Sequence, residues 1–269
     1  MARRSANQEI WYRAPVIELR AVRKTFDDPS GREIVAVDDV SFTVPAGETL
    51  CLVGTSGCGK TTTMKLINRL LELDGGQVLI DGQDVGDRDV IELRRSLGYV
   101  VQKGSLFPHM TVERNVGLLC QLEGWRPRKV AERVAELLEL VNLPVADYGK
   151  RYPRELSGGQ RQRVGVARAL ALDPPIVLMD EPFGALDPIT RSQLHKEFAE
   201  LEKLVQKTIV LVTHDMAEAF RLGDQVAVMD RGKVVQLGTE DDFRRQPAND
   251  FVREFLDSQI GQQRRGDHG

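Results

Sequence analysis

Residues 54–61 (GTSGCGKT) carry glycine, lysine and hydroxyl side chains at the spacing G-x-x-x-x-G-K-[ST]. Glycines let backbone N–H groups point into a concave loop, and a lysine and a hydroxyl at its end can hold phosphate oxygens and Mg²⁺. The segment follows an apolar run and precedes a helical pattern, so a helix N-terminus adds partial positive charge. We predict a nucleotide phosphate loop, with Lys60 reaching the β- and γ-phosphates and Thr61 ligating the metal. Its candidate residues are Gly54, Thr55, Ser56, Gly57, Cys58, Gly59, Lys60, Thr61 and Thr62.

Two adjacent acids end a second apolar run, residues 176–181 (IVLMDE). A carboxylate at the tip of a buried strand beside a phosphate loop can bind Mg²⁺ through its water shell, and Asp180 is predicted to do so. Glu181 comes where the chain leaves the sheet, and its carboxylate can polarise an attacking water. An isolated Asp-Glu after an apolar run more often ends a strand in solvent. The phosphate loop earlier in the chain makes hydrolysis the better interpretation.

The elements that must position these residues follow from the hydrophobic pattern. Short β-runs at 16–22 and 34–44, joined by a turn at 27–32, predict a small antiparallel layer. From residue 49 onward, apolar runs alternate with helical stretches, which predicts βαβ units on a parallel sheet. The expected buried strands are 49–53, 97–101, 176–179, 208–212 and 225–229, and a helix is expected at 60–71.

A helical lobe is predicted at about 103–172, inserted into this α/β domain, because no strand pattern is evident there. Arg126 and Pro127 open a helix, and one or two further helices are expected at 239–255. We expect one domain at 16–260, without an internal repeat, between loose tails at 1–15 and 261–269. The apolar residues on one face of the helix opened by Pro127 are Val130, Val134, Leu137, Leu138 and Val141.

Composition excludes several classes of protein. The 269 residues include 37 basic and 40 acidic ones, a net charge of −3 that favours no nucleic-acid partner. No run approaches the 18 apolar residues of a membrane helix, and the N-terminus lacks the apolar part of a secretory signal. The three cysteines have no CxxC spacing and the four histidines are scattered, so we expect neither disulfides nor a zinc or iron site.

Residues 156–160 (LSGGQ) match the signature of ATP-binding-cassette (ABC) ATPases, and the resemblance covers residues 16–256. It implies a P-loop NTPase cassette that binds ATP and Mg²⁺. In that family the signature faces the γ-phosphate held by the other protomer, here through Ser157 and Gly159. A serine and glycines at a helix start also form an anion-binding nest, and Ser157 can cap the helix at the same time. The signature residues predicted to bind nucleotide are Ser157, Gly158, Gly159 and Gln160.

The same resemblance assigns four other residues. It implies that Gln102 contacts Mg²⁺ or the attacking water and senses a membrane partner, and that His214 contacts the γ-phosphate. Asp187 matches the loop that crosses the dimer interface. Phe26 stands where the family has an aromatic residue under the adenine ring.

Within the family, the chain is most similar to the ATPase subunits of importers for osmoprotectant quaternary amines. The segments 99–112, 152–162 and 181–191 carry this similarity. It implies a dimer with two ATP molecules between the copies, bound to integral membrane permease subunits at the cytoplasmic face of the inner membrane. A substrate-binding protein is the indirect partner. Many such relatives have a C-terminal regulatory pair of nucleotide-sensing modules, which we do not expect here because the chain ends soon after Phe255.

Three alternatives remain open at this point. The ATPases of methionine, other amino-acid or polyamine importers have similar residues in many of the same segments. An exporter or lipid-trafficking cassette with a separate permease is also compatible with the motifs. A soluble cassette ATPase of translation or DNA repair is disfavoured, because neither tandem cassettes nor a long coiled-coil insertion is visible.

Overall fold

The computed structural model describes residues 15–101, 106–184 and 186–266, so the predictions for residues 1–14, for Gln102 and for 267–269 lie outside it. The strands are β1 (Pro15–Asp27), β2 (Glu33–Pro45), β3 (Thr49–Gly54), β4 (Gly75–Ile80), β5 (Gln83–Asp84), β6 (Leu97–Val100), β7 (Ile176–Asp180), β8 (Thr208–Thr213), β9 (Gln225–Asp230) and β10 (Lys233–Gly238). The helices are α1 (Lys60–Ile67), α2 (Val90–Arg95), α3 (Val112–Leu122), α4 (Pro127–Leu140), α5 (Val145–Tyr148), α6 (Gly158–Ala169), α7 (Pro188–Val205), α8 (Met216–Leu222), α9 (Glu240–Arg245) and α10 (Asp250–Gly266).

A four-stranded antiparallel sheet has the strand order β2-β1-β4-β5. Its buried side chains alternate along β2 at Val40, Phe42 and Val44, as expected for a sheet with one covered face. The predicted antiparallel layer is therefore confirmed. Strand β4 is missing from the sequence prediction because its apolar run is short and follows two glycines.

A six-stranded sheet of order β10-β9-β3-β8-β7-β6 forms the centre of the domain. All neighbouring pairs are parallel except β9 with β10. Every residue of β3, β7 and β8 is buried, because α1 and the antiparallel sheet pack on one face and other helices on the opposite face. These three neighbouring strands end at Gly54, Asp180 and Thr213, so the sheet brings the phosphate loop, the two acids and His214 to one edge.

Helices α3, α4, α5 and α6 occupy the region predicted to form the helical lobe. Val130, Val134, Leu137 and Leu138 of α4 are buried, as their spacing predicts, and Val141 is buried just beyond the last turn. Among the helices described, none has both the length and the apolar character needed to cross a bilayer.

Several elements differ from prediction, including β1, which continues to Asp27 instead of ending at Val22. Helix α1 ends at Ile67 instead of Leu71, because the chain turns at Arg69, whose φ is +50°. Helix α10 continues to Gly266, past the tail expected from residue 261, since glutamine and arginine favour helix and one glycine does not end it. Strand β10 was not predicted; it pairs with β9 through a turn at Arg231 and Gly232, both with positive φ.

Candidate functional site

The phosphate loop joins β3 to α1 and is buried at both ends. Thr55, Ser56 and Gly57 form an exposed tip, while Lys60 is only 5% exposed. The Lys60 ammonium donates hydrogen bonds of 2.8 Å to the carbonyl oxygens of Gly54 and of Thr55. It also lies 3.7 Å from the Cys58 Sγ, whose pKa is raised mainly by burial. The Lys60 ammonium thus lies under a loop whose tip is open to a ligand.

Gly59 is the N-cap of α1, with a φ of +107° that side-chain-bearing residues rarely adopt. A Cβ built there would lie 2.4 Å from the Ala36 carbonyl oxygen in β2. The β9–β10 turn supports the same loop from beside it, since the Gly232 N–H donates to the Cys58 carbonyl oxygen at 3.0 Å. This support was missed by sequence reasoning, because nothing in local spacing links the distant hairpin to the phosphate loop.

Gly59→Ala should weaken ATP binding, because the added methyl group displaces either the loop or β2. Strained backbone of this kind costs about 1–3 kcal/mol, and we expect a similar loss in the free energy of unfolding. Gly57→Ala is the matched control, since Gly57 also has positive φ but has open space around its Cβ position. Urea denaturation and nucleotide titration of both variants would check this. Equal losses in the two variants would contradict the role of the Ala36 contact.

Thr61 and Asp180 meet across the edge of the sheet. The Thr61 hydroxyl donates a 2.9 Å hydrogen bond to Asp180 Oδ1. Burial raises the pKa of Asp180, with Thr61 acting in the opposite direction and Glu181 adding to the rise. Burial, reinforced by the Asp180 charge, raises the pKa of nearby Tyr99 to about 12. A partly desolvated carboxylate beside a hydroxyl is an oxygen donor set that suits Mg²⁺.

Glu181 and His214 face each other at the ends of β7 and β8. Glu181 Oε2 lies 3.8 Å from His214 Nδ1, and the side chains are 23% and 52% exposed, respectively. The backbone of Glu181 has a positive φ of +43°. Its N–H donates a hydrogen bond of 3.0 Å to the Val212 carbonyl oxygen. A non-glycine residue in this conformation is costly and is often found at functional sites. Water can therefore reach a carboxylate whose backbone is held in place.

The signature segment forms a second cluster. Ser157 caps α6 through a reciprocal box with Gln160, whose N–H donates to the Ser157 Oγ at 3.2 Å. A Cβ on Gly158 would lie 3.3 Å from Leu186, and one on Gly159 2.8 Å from Thr190. The signature thus packs beside the segment of Asp187, with Ser157 exposed, Gly158 half-buried and Gly159 buried.

Asp187 caps helix α7, and hydrogen bonds from the Thr190 backbone and side chain lower its pKa. Phe26 is 40% exposed near the end of β1, with the Lys24 ammonium 5.6 Å from its ring centroid. Of the predicted site residues, only Gln102 falls outside the described part of the chain. The structure brings together the phosphate loop, Asp180, Glu181 and His214, whereas the signature lies with Asp187.

Comparison with known proteins finds that this chain is similar to transport ATP-binding proteins. A family model described as ABC transporter matches residues 37–184. The choline transport ATP-binding protein OpuBA of Bacillus subtilis is 52% identical over 241 residues, which are 90% of this chain and 62% of that protein. The glycine betaine uptake system ATP-binding protein YehX of Escherichia coli is 48% identical over 221 residues, 82% of this chain and 71% of that protein.

A solved structure has the same fold. The dimeric, post-hydrolysis ATP-binding cassette MJ0796 bound to ADP and Pi matches with a TM-score of 0.74 and 33% identity, covering 83% of this chain and 98% of that one. With the helices and sheets described above, this similarity confirms the predicted cassette fold. The chain spans about six-tenths of the length of the Bacillus choline-transport relative.

Proposed function

We propose, on the premise that this chain belongs to the ABC transporter family, that it hydrolyses ATP as the energy-supplying subunit of an importer for quaternary-amine osmoprotectants. The observation that carries the hydrolytic part is the meeting of Thr61, Asp180, Glu181 and His214 at the end of the phosphate loop. The names of the relatives, which refer to choline and glycine betaine, support the class of solute.

The phosphate loop would bind the triphosphate of ATP. Its tip presents backbone N–H groups at the start of α1, where the partial positive charge of the helix favours anions. The Lys60 ammonium, which now bonds to two loop carbonyls, can exchange them for β- and γ-phosphate oxygens. Exposed Phe26 offers a flat apolar surface on which the adenine base can stack.

Mg²⁺ fits the pair formed by Thr61 and Asp180. Magnesium is usually held by one or two protein oxygens together with substrate phosphates and waters, and this pair offers a hydroxyl and a carboxylate. Once bound, the ion would neutralise charge on the phosphate oxygens. We propose Gln102 as a further contact from the family resemblance alone, since it lies outside the described residues.

Glu181 would orient and deprotonate the water that attacks the γ-phosphate. The carboxylate is partly accessible, and it lies close enough to His214 for both side chains to face the same water and phosphate. His214 can donate a hydrogen bond to the departing phosphate while Glu181 holds the proton. Both residues follow parallel strands in one sheet, so their separation is set by rigid elements.

The signature would complete the site of a second copy. Ser157, Gly158, Gly159 and Gln160 form an anion-binding helix start, and Asp187 begins the neighbouring helix. Two copies arranged head to tail would then enclose two ATP molecules, and loss of the γ-phosphate would remove contacts that hold them together. Opening and closing of the pair would drive membrane permease subunits at the cytoplasmic face of the inner membrane.

The decisive experiment is reconstitution of the chain with its permease subunits and substrate-binding protein in liposomes. We expect the ATPase rate to rise severalfold with glycine betaine, choline or carnitine, and to stay at its basal value with methionine or a polyamine. Stimulation by methionine or a polyamine would retain an import ATPase and refute the osmoprotectant class. A complex that hydrolyses ATP without any need for a substrate-binding protein would favour export or lipid traffic.

A further inference from the structure

A buried histidine and glutamate join helices α7 and α8 behind the candidate site. His195 Nε2 lies 3.5 Å from Glu218 Oε2, and the two side chains are only 7% and 6% exposed. Within the described residues Nε2 has no hydrogen-bond partner, and the Glu218 carboxylate lies within ion-pair distance of it. A buried carboxylate is costly unless a partner compensates it. The contact therefore joins the two helices at a point that is almost closed to solvent.

On one side, His195 contacts the turn that carries Glu181. Its ring packs edge-on against Phe183, with ring centroids 4.7 Å apart and an interplanar angle of 86°. Phe183 is buried and lies two residues after Glu181, inside a turn closed by the Gly184 N–H and the Glu181 carbonyl oxygen. Because the Glu181 backbone is in the left-handed region, the surrounding packing must hold this turn.

On the other side, Glu218 belongs to the first turn of α8, which begins just after His214. The Asp215 carboxylate caps this turn by accepting hydrogen bonds from the N–H groups of Ala217 and Glu218. Fixing Glu218 therefore fixes the start of α8 and, with it, the backbone from which the His214 side chain extends. The turn that carries Glu181 and the segment before α8 also approach each other at the 3.8 Å contact between Glu181 and His214.

We propose that His195 is a positioning residue for hydrolysis: paired with Glu218, it holds the Phe183 turn against α8 and so sets the separation between Glu181 and His214. This inference rests on the proposed ATPase function. The contacts of His195 are with Phe183 and Glu218, and it acts on the hydrolytic site through them. A purely stabilising role for the same pair would lower the melting temperature without changing the rate of the folded protein.

The test uses the full chain, with single-turnover hydrolysis, ATP affinity and thermal unfolding measured for each variant. We expect His195→Ala to slow the hydrolysis step by about 10- to 100-fold, because small misplacements of reacting groups have effects of this size. ATP affinity should change little, since the contacts of His195 are with Phe183 and Glu218. His195→Gln should recover part of the rate, because its amide keeps a polar group of similar reach opposite Glu218.

Glu197→Gln is the matched control, because Glu197 lies on the same helix but pairs with Arg163 of α6. We expect its rate to equal that of the parent protein. Should His195→Ala fold poorly, Glu218→Gln gives a second variant that weakens the same pair without removing its volume. Variants that melt earlier but hydrolyse ATP at the parent rate per folded molecule would overturn the proposal.

A double variant separates this inference from the function on which it rests. In a Glu181→Gln background, adding His195→Ala should slow the residual hydrolysis little further, because no base remains to be positioned. Full additivity of the two effects would refute a role through Glu181. If Glu181→Gln alone kept the parent rate, the proposed function itself would fail.

Discussion

Glu181→Gln should reduce ATP turnover about 100- to 10,000-fold, the range that a general base contributes. Glutamine has nearly the same shape, but its amide cannot accept the proton of the attacking water. The substitution leaves Lys60 and its contacts in the phosphate loop unchanged, so ATP affinity should stay close to that of the parent protein. Because ATP then remains uncleaved between two copies, the variant should accumulate as a dimer in the presence of ATP and Mg²⁺.

Turnover can be followed by phosphate release and the dimer by size-exclusion chromatography with and without ATP. Glu240→Gln is a suitable control, because Glu240 lies in the first turn of α9 and pairs with Arg244. Hydrolysis at the parent rate by Glu181→Gln would mean that another group activates the water. A variant that stays monomeric with ATP would argue against the two-copy site formed with the signature.

Lys60→Ala should weaken ATP binding about 10- to 100-fold, equivalent to the loss of one or two hydrogen bonds to charged groups. The ammonium is 5% exposed and is held at the base of the loop by the Gly54 and Thr55 carbonyl oxygens. Its removal takes away both the charge that attracts phosphate and the bridge that shapes the loop. Lys60→Arg keeps the charge but not the compact geometry, so we expect an intermediate affinity.

Isothermal titration with a non-hydrolysable ATP analogue measures this directly. Lys129→Ala provides the control, because Lys129 lies on α4, where its ammonium is 3.8 Å from the ring centroid of Trp125. Unchanged affinity in Lys60→Ala would contradict the assignment of residues 54–61 to phosphate binding. Thermal unfolding without nucleotide would separate the loss of phosphate contacts from a collapse of the loop.

The sequence predicts most of the elements because their signals are local. Buried parallel strands appear as short apolar runs, and β3, β7, β8 and β9 lie where such runs were predicted, each extended by one residue. Helix α4 has its apolar residues on one face from Val130 to Leu138. Strands β4, β5 and β10 were missed, since none has a long apolar run and their pairing with other strands arises only in the folded sheets.

For the candidate site too, local motifs could be predicted from the sequence, whereas contacts between distant residues could not. The phosphate loop and the signature are motifs in which neighbouring residues act together, so their residue types and spacing predict the chemistry. The contacts of Thr61 with Asp180 and of Glu181 with His214 depend on the order of strands in the sheet. Strands β3, β7 and β8 are far apart in the chain and become neighbours only in the folded parallel sheet.

The amino-acid sequence by itself therefore determined the family, the phosphate loop and the candidate acids, because these depend on short stretches whose chemistry is local. The tertiary structure alone decided which supports reach the site from a distance. It placed the Gly232 turn against Cys58, and it paired His195 with Glu218 behind Phe183. Such contacts join residues of different elements through packing, and no periodicity or motif along the chain records them.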